Sequence, residues 1–190
     1  QQELLETIYS CGKPVILVLL SGSALAVTWA DEHIPAIIQG WSPGSQGGTA
    51  IARTLFGDSV PEGKLPVTFY RTTEELPEFT DYSMKNRTYR YMNTLPLYPF
   101  GYGLSYTDFE ISEAKVSTEI ITEEGVKLSC YVKNTGKYAG RATVQTYVKA
   151  ERDGTPNAQL KGIKKLELQP GEEKEVSIFL PAAAFSLCNE

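Results

Sequence analysis

Histidine is nearly missing from this sequence: His33 is the only one. A hydrolytic triad would have to use it, with Ser21 or Ser23 as the nearby hydroxyl, and no Gly-x-Ser-x-Gly elbow is present to display such a serine. His33 therefore reads as a plain surface or helix-edge residue. Cysteine is scarce too. Cys11, Cys130 and Cys188 are odd in number and far apart, which excludes both a disulfide framework and a metal-ligand spacing. They read as buried or free thiols and favour a reducing compartment, hence a cytoplasmic location. No apolar run reaches the roughly 18 residues that a membrane helix requires. The best, Val15 to Leu20, reads as a buried strand. No excess of positive charge exists either: 18 basic against 23 acidic residues leave a net charge of −5. The tightest basic group, Lys161, Lys164 and Lys165, is soon followed by acidic residues. These absences argue against nucleic acid and membrane as partners, and no metal or cofactor is expected. No signal peptide opens the chain, but residue 1 is Gln rather than Met, so the native N-terminus is expected to lie upstream.

What is present is an ordinary globular composition, 42% hydrophobic over 190 residues, enough for one or two packed domains. The first half alternates helix and strand. Leu4, Leu5, Ile8 and Cys11 keep helical spacing, and Gly12 supplies a left-handed stop. Pro14 then opens the run Val15 to Leu20, which suits a strand covered on both faces, as in a parallel sheet. Val27-Thr28-Trp29 and Ala36-Ile37-Ile38 read as shorter strands. A glycine-rich turn, Pro43 to Gly48, leads into a helix presenting Gly48, Ile51, Ala52 and Leu55, with Ser45 placed to cap it and Gly57 to close it. Gly47 and Gly48 are expected to permit close helix–sheet packing; anion binding at the helix entry is the rival reading. Residues 72–107 lose periodicity and are rich in Tyr, Pro, Asn and Arg. They read as a long ordered loop ending in the compact turn Pro99 to Gly103. Within it Asn86-Arg87-Thr88 is a formal glycosylation sequon, a tripeptide that often arises by chance.

From about Asp108 the period falls to two. Val126, Leu128, Cys130 and Val132 alternate with polar partners, as do Val144 and Val148. Ile163, Leu166 and Leu168 mark a less regular strand, and Val176, Ile178 and Leu180 the last. Turn signals separate the runs: Asn134-Thr135-Gly136, Asp153-Gly154 and Pro170-Gly171, the last suited to a type II turn. About five strands are expected, where an immunoglobulin-like sandwich has roughly seven. The alternation stops before Cys188-Asn189-Glu190, so the sandwich reads as incomplete and both ends as cut.

An ordered series of motifs carries a resemblance. Lys13 to Leu19, Trp29-Ala30, Ala36 to Ile38, Trp41 to Ala52, Leu55 to Asp58 and Gly63 to Phe69 resemble the C-terminal α/β sandwich domain of family 3 glycoside hydrolases. Arg87 to Tyr91 and Leu97 to Phe109 are similar to the signature joining that domain to a fibronectin type III-like module. Val132 to Gly136, Gly140-Arg141, Gln145 to Tyr147, and Leu160 to Gly162 through Pro170 to Glu172 resemble the module itself. Family members often carry Glu where Gln46 stands.

The resemblance implies an α/β region followed by an all-β one. The first is a partial α/β sandwich, a mainly parallel sheet with flanking helices (1–71), and a connecting loop follows (72–107). The second is an incomplete immunoglobulin/fibronectin III-like β-sandwich (108–190). It implies an accessory part of a β-glucosidase-like exo-glycosidase working by retention. Such chemistry uses two carboxyl groups about 5–5.5 Å apart. In the family the nucleophilic Asp belongs to a β/α barrel, and the acid/base Glu of most members lies upstream of the stretch matching Gln2. No catalytic residue is therefore expected in this chain. Asp31 and Glu32 would point apart if extended, and Glu74, Glu75, Glu78, Asp81, Glu123-Glu124 and Glu172-Glu173 read as solvated or turn-flanking carboxylates. The implied partners are the barrel domain and, in the full-length enzyme, a β-linked oligosaccharide or glycoside. Arg87, Tyr89, Arg90, Tyr91 and Gln46 are the candidates for substrate-edge or interdomain contacts, with a pin between domains preferred for the loop. Tyr98, Phe100, Tyr102 and Tyr106 read as interdomain packing. A β-xylosidase or arabinofuranosidase of the same family is the nearest alternative; a non-catalytic binding or spacer module is the alternative of another class. The order of domains in the parent is left open.

Overall fold

The computed structural model describes residues 1–121, 123–152 and 154–186. Asp153 and Cys188, singled out above as a turn residue and a thiol, lie outside the described residues, as do Asn189 and Glu190. The chain divides into two compact units. One holds Gln1–Ser59, Val67–Ser83 and Thr94–Phe100; the other holds Val60–Pro66, Met84–Asn93 and Gly101–Glu190.

The first unit runs α1 (Gln2–Ser10), β1 (Ile16–Leu19), α2 (Thr28–His33), β2 (Ala36–Gln39) and α3 (Gly47–Leu55), with a single 3-10 turn at Thr73–Glu75. β1 and β2 pair in parallel, Ile16 opposite Ala36 and Leu19 opposite Gln39. The expectation that β1 is covered on both faces fails here: Ile16 is 50% exposed and Leu20, just past the strand, 61%.

Val27-Thr28-Trp29 is not a strand. Val27 is the N-cap of α2, with φ −122° and ψ 32°, and the rings decide the outcome. Trp29 and His33, one helical turn apart, stack at 4.4 Å with planes 8° from parallel, and Tyr9 of α1 meets both edge-on at 5.7 Å. A helix brings residues i and i+4 together, whereas a strand cannot, so packing overrides the local β-branched preference. Asp31 and Glu32 are thus helical rather than extended. Ser45 does not cap α3: the N-cap is Gln46, without a side-chain bond, and the entry is made by the Gly47 N–H donating to Gly44 O at 3.1 Å. Nor do the glycines serve helix–sheet packing. A Cβ on Gly47 would collide with the Pro43 ring at 2.4 Å, inside its own turn, while Gly48 faces open space. The buried centre of this unit is Phe69, 1% exposed, with Trp41 edge-on at 6.0 Å and Tyr98 tilted at 5.9 Å. The Phe69 N–H donates to Tyr98 O (2.9 Å) and the Leu97 N–H donates back to Phe69 O (2.8 Å), which ties residues far apart in sequence. The long loop is therefore not structureless: it contains this bridge, the 3-10 turn and the single helical turn α4 (Thr88–Tyr91).

The second unit contains β3 (Phe109–Val116), β4 (Val126–Asn134), β5 (Gly140–Val148), β6 (Gln159–Leu168) and β7 (Glu173–Leu180). These form an antiparallel sheet ordered β3-β4-β7 and an antiparallel pair β5-β6. Period-two alternation places Val132, Ala142, Val144, Leu168 and Val176 in one buried cluster, with Cys130, Leu166 and Ile178 packed against it. Burial pushes the Cys130 thiol pKa up. Ile163 departs from expectation: it is exposed, because the inward parity of β6 runs through Leu166, Leu168 and Gly162. At Gly162 a Cβ would meet Ile178 at 2.7 Å, so only glycine allows that approach. The Pro170-Gly171 turn is as expected: Gly171 has φ 77°, and the Glu172 N–H donates to Gln169 O at 3.0 Å.

Asn134, read from sequence as a turn marker, is instead a fully buried hub. Its Nδ2 donates to Tyr138 O (2.8 Å) and Leu168 O (3.1 Å). Its Oδ1 accepts from the Thr107 hydroxyl (2.7 Å) and the Gly136 N–H (3.0 Å). Its backbone N–H donates to Glu172 O and its carbonyl accepts from Gly171, both at 2.9 Å. A buried amide is tolerated here because every side-chain donor and at least part of every acceptor is used.

Candidate functional site

The aromatic–arginine loop is built on one helical turn held from outside. Four residues cannot sustain a helix alone, since nucleation costs more than one turn returns. Asn157 supplies the difference for α4. Its N–H donates to Arg90 O at 2.6 Å, and its Nδ2 donates to Tyr89 O (3.0 Å) and Met92 O (2.9 Å). Carbonyls that would otherwise be left open at a helix C-terminus are satisfied by one side chain and its own backbone. Tyr89 is fixed further: its Oη accepts from the Leu160 N–H (3.3 Å) and its ring meets Tyr147 edge-on at 6.5 Å. The Tyr147 hydroxyl donates to Gln145 Oε1 (2.7 Å), and Gln145 Nε2 donates to Gly101 O (3.4 Å). Burial first, then Tyr89, raises the Tyr147 pKa.

The approach to α4 is strained. Asn86 and Thr88 both have φ 57°, tolerable for asparagine and unusual for a β-branched residue. Asn86 Oδ1 accepts from Asn93 Nδ2 at 3.1 Å across the base of the loop, and the Thr88 hydroxyl accepts from the Arg90 N–H at 3.3 Å. Arg87, Tyr89 and Tyr91 are half-buried and Arg90 is exposed. All four belong to the second unit, whereas Gln46 is exposed at the head of α3 in the first. Sequence reasoning missed Asn157 because its partners are backbone carbonyls some 65 residues away in sequence, and nothing local marks it.

The carboxylates weighed above hold local structure. Asp31 Oδ1 accepts from the Tyr98 hydroxyl at 2.6 Å. Glu75 Oε2 accepts from the Arg71 N–H at 2.9 Å, and Asp81 Oδ1 from the Ser83 N–H at 2.8 Å. His33 Nδ1 lies 2.8 Å from Trp29 O, a contact that needs a proton on that nitrogen. Ser21 Oγ donates to Ser23 O (2.8 Å) and accepts from Gln39 (3.1 Å), so neither serine is joined to the histidine by these bonds. A hollow of ≈160 Å³ beside Val148, Gln159, Lys161 and Phe185 has no carboxylate in its lining. A wider one of ≈400 Å³ beside Lys149, Arg152 and Asn157 has only Glu151. Neither can host a retaining pair of acids. No group of three or more potential metal ligands occurs among the described residues, and no helix among them is long and apolar enough to cross a membrane.

The first unit is thus a parallel strand pair with helices and the second is an antiparallel β module. Residues 1–106 match the glycosyl hydrolase family 3 C-terminal domain, and residues 142–190 match the fibronectin type III-like domain. The chain belongs to glycosyl hydrolase family 3. It is 45% identical over 182 residues to a xylan 1,4-beta-xylosidase of Xylanibacter ruminicola, covering 95% of this chain and 21% of the relative. It is 38% identical over 205 residues to the periplasmic beta-glucosidase of Salmonella typhimurium, covering all of this chain and 27% of that protein. Among solved structures, beta-glucosidase 3B of Thermotoga neapolitana in complex with glucose superposes with a TM-score of 0.83 at 33% identity, over 94% of this chain and 28% of that one. The chain thus spans about a quarter of the length of the relatives it matches. The matched regions are the C-terminal and fibronectin-like ones.

Proposed function

We propose that this chain is the accessory portion of a family 3 exo-glycosidase that removes β-linked glucosyl units from non-reducing ends with retention of configuration. The observation that carries this is the ordered succession of the two matched regions, 1–106 and then 142–190, along one polypeptide. In this reading the acid pair, about 5–5.5 Å apart, resides on parts of the parent beyond these residues. Residues 1–71 complete a mainly parallel sheet flanked by helices, 72–107 connect, and 108–190 form the module. Arg87, Tyr89, Arg90, Tyr91 and Gln46 serve substrate-edge or interdomain contacts, and for the loop the pin between domains is the preferred role. The grip of Asn157 on α4 supports the pin, since a loop held that firmly can transmit position.

The names of the relatives favour one other sugar: a β-xylosidase parent is supported by the 45% identity to the Xylanibacter ruminicola enzyme. One assay separates these readings. The full-length polypeptide and the 190-residue chain are each offered 4-nitrophenyl β-glucoside and β-xyloside. The expected result is turnover by the full-length protein, fastest on the glucoside, and none by the chain. A clear preference for the xyloside would transfer the assignment to the xylosidase. Turnover by the chain alone would end the division of labour.

A further inference from the structure

We infer that Asn157, just ahead of β6, is a positioning residue of the parent glycosidase and acts by aiming the Arg90 guanidinium. The inference rests on the reading above, in which Arg87 to Tyr91 serve a substrate-edge or interdomain contact. Arg90 is fixed on both sides of its own Cα. Its N–H donates to the Thr88 hydroxyl at 3.3 Å, and its carbonyl accepts from the Asn157 N–H at 2.6 Å. Asn157 Nδ2 adds bonds to Tyr89 O (3.0 Å) and Met92 O (2.9 Å), so the carbonyls on either side of Arg90 are held as well. The Arg90 side chain differs from its backbone. It is exposed, and among the described residues no hydrogen bond or ion pair engages the guanidinium. A cation whose base is already ordered loses less freedom when it meets a carboxylate or hydroxyl.

The backbone that carries Arg90 shows that this aim is imposed. Asn86 and Thr88 both stand at φ 57°, and a β-branched residue keeps that conformation only where its surroundings enforce it. A segment that merely linked two regions would be free to relax. Here Met92 is buried at the far end, and its N–H donates to Thr88 O at 3.0 Å to close the single turn. Asparagine suits the task because it brings three N–H donors, two on Nδ2 and one on its own backbone, to the carbonyls of residues 89, 90 and 92. Aspartate has the same shape and keeps the backbone bond. Its ionised oxygens would face the carbonyls of Tyr89 and Met92 with nothing to donate.

The test is a double-mutant cycle in the full-length polypeptide, assayed on the better of 4-nitrophenyl β-glucoside and β-xyloside. The variants are Arg90→Ala, Asn157→Ala, Asn157→Asp and Arg90→Ala combined with Asn157→Ala. Each single substitution should lower kcat/KM about tenfold, and the combined variant should be no worse than Arg90→Ala alone. Amide exchange of residues 88–93 should quicken in both Asn157 variants. A residue that only stabilised the fold would add its loss to that of Arg90→Ala, so additive losses would overturn the inference. So would Asn157→Asp working like the parent, loop amides as protected as before, or Arg90→Ala at the parental rate. Failure of the underlying reading looks different. An unmodified full-length protein that turns over neither glycoside would end the glycosidase assignment and this inference together, whereas additivity in an active enzyme ends the inference alone.

Discussion

The two units bury their centres by different means. In the first, apolar side chains converge on one aromatic, Phe69, and the paired strands beside it leave Ile16 and Leu20 largely in water. In the second, two antiparallel layers cover each other, and a polar residue, Asn134, sits at the centre of the turns that join them. Phe69 and Asn134 are equally hidden from solvent, at 1% and 0% exposure. The difference teaches that low exposure alone does not say what holds a region together. Around Phe69 it is area removed from water; around Asn134 it is the satisfaction of groups that could not otherwise be buried.

The sharpest way to test that contrast is to truncate both. Phe69→Ala removes a large ring from contact with Trp41 and Tyr98 and should cost about 3–5 kcal/mol. Trp29 and Trp41, the only tryptophans, both lie in the first unit, so urea unfolding followed by tryptophan fluorescence reads it directly. A loss well under 1 kcal/mol would mean that the surroundings collapse into the space, and that the ring is not the anchor argued here.

Asn134→Ala is the polar counterpart. It leaves the Gly136 N–H and the carbonyls of Tyr138 and Leu168 without their partner and should cost about 2–4 kcal/mol, read by circular dichroism during urea unfolding. Amide exchange makes the prediction specific. The Gly136 amide, bonded to the side chain, should lose protection, while the Gly171 amide, bonded to the Asn134 backbone carbonyl, should keep it. Equal loss at both would show general loosening rather than a hub.

The same contrast explains what could be read from the residues. In the second unit the inner positions Val132, Val144, Val176 and Leu180 were legible as period-two alternation, because two facing layers enforce it. Ile163 escaped because apolar character does not declare parity, and the parity of β6 is set by its pairing with β5. In the first unit the parallel pair and helices α1 and α3 were legible, but α2 was not. Its stability comes from Tyr9, Trp29 and His33 meeting in space, while Val27 and Thr28 locally suggest a strand. In the candidate site, Arg87 to Tyr91 stood out by composition. Asn157 did not, and Asn134 showed only as a turn marker, because the bonds to Met92 and Leu168 that make each a hub run to backbone atoms distant in sequence.

The smallest effect concerns charge at the Pro170-Gly171 turn. Lys174 donates to Glu172 Oε1 at 2.7 Å and the Gln169 N–H donates to its Oε2 at 2.7 Å, which together hold the Glu172 carboxyl below the usual carboxylate range, the lysine contributing most. A carboxyl whose pKa is lowered by folding adds stability that is complete above the ordinary glutamate value and disappears as pH falls through the lowered one. Glu172→Gln should therefore be slightly less stable than the parent at neutral pH, and the two should converge in acid. The group is exposed, so solvent screening keeps the difference near the limit of denaturation measurements. An NMR titration of the Glu172 carboxyl gives the cleaner reading: a midpoint at or above the ordinary value would show that the Lys174 contact is not maintained in solution, and would leave the turn to rest on its backbone bonds, through Gly171 and the Asn134 carbonyl, alone.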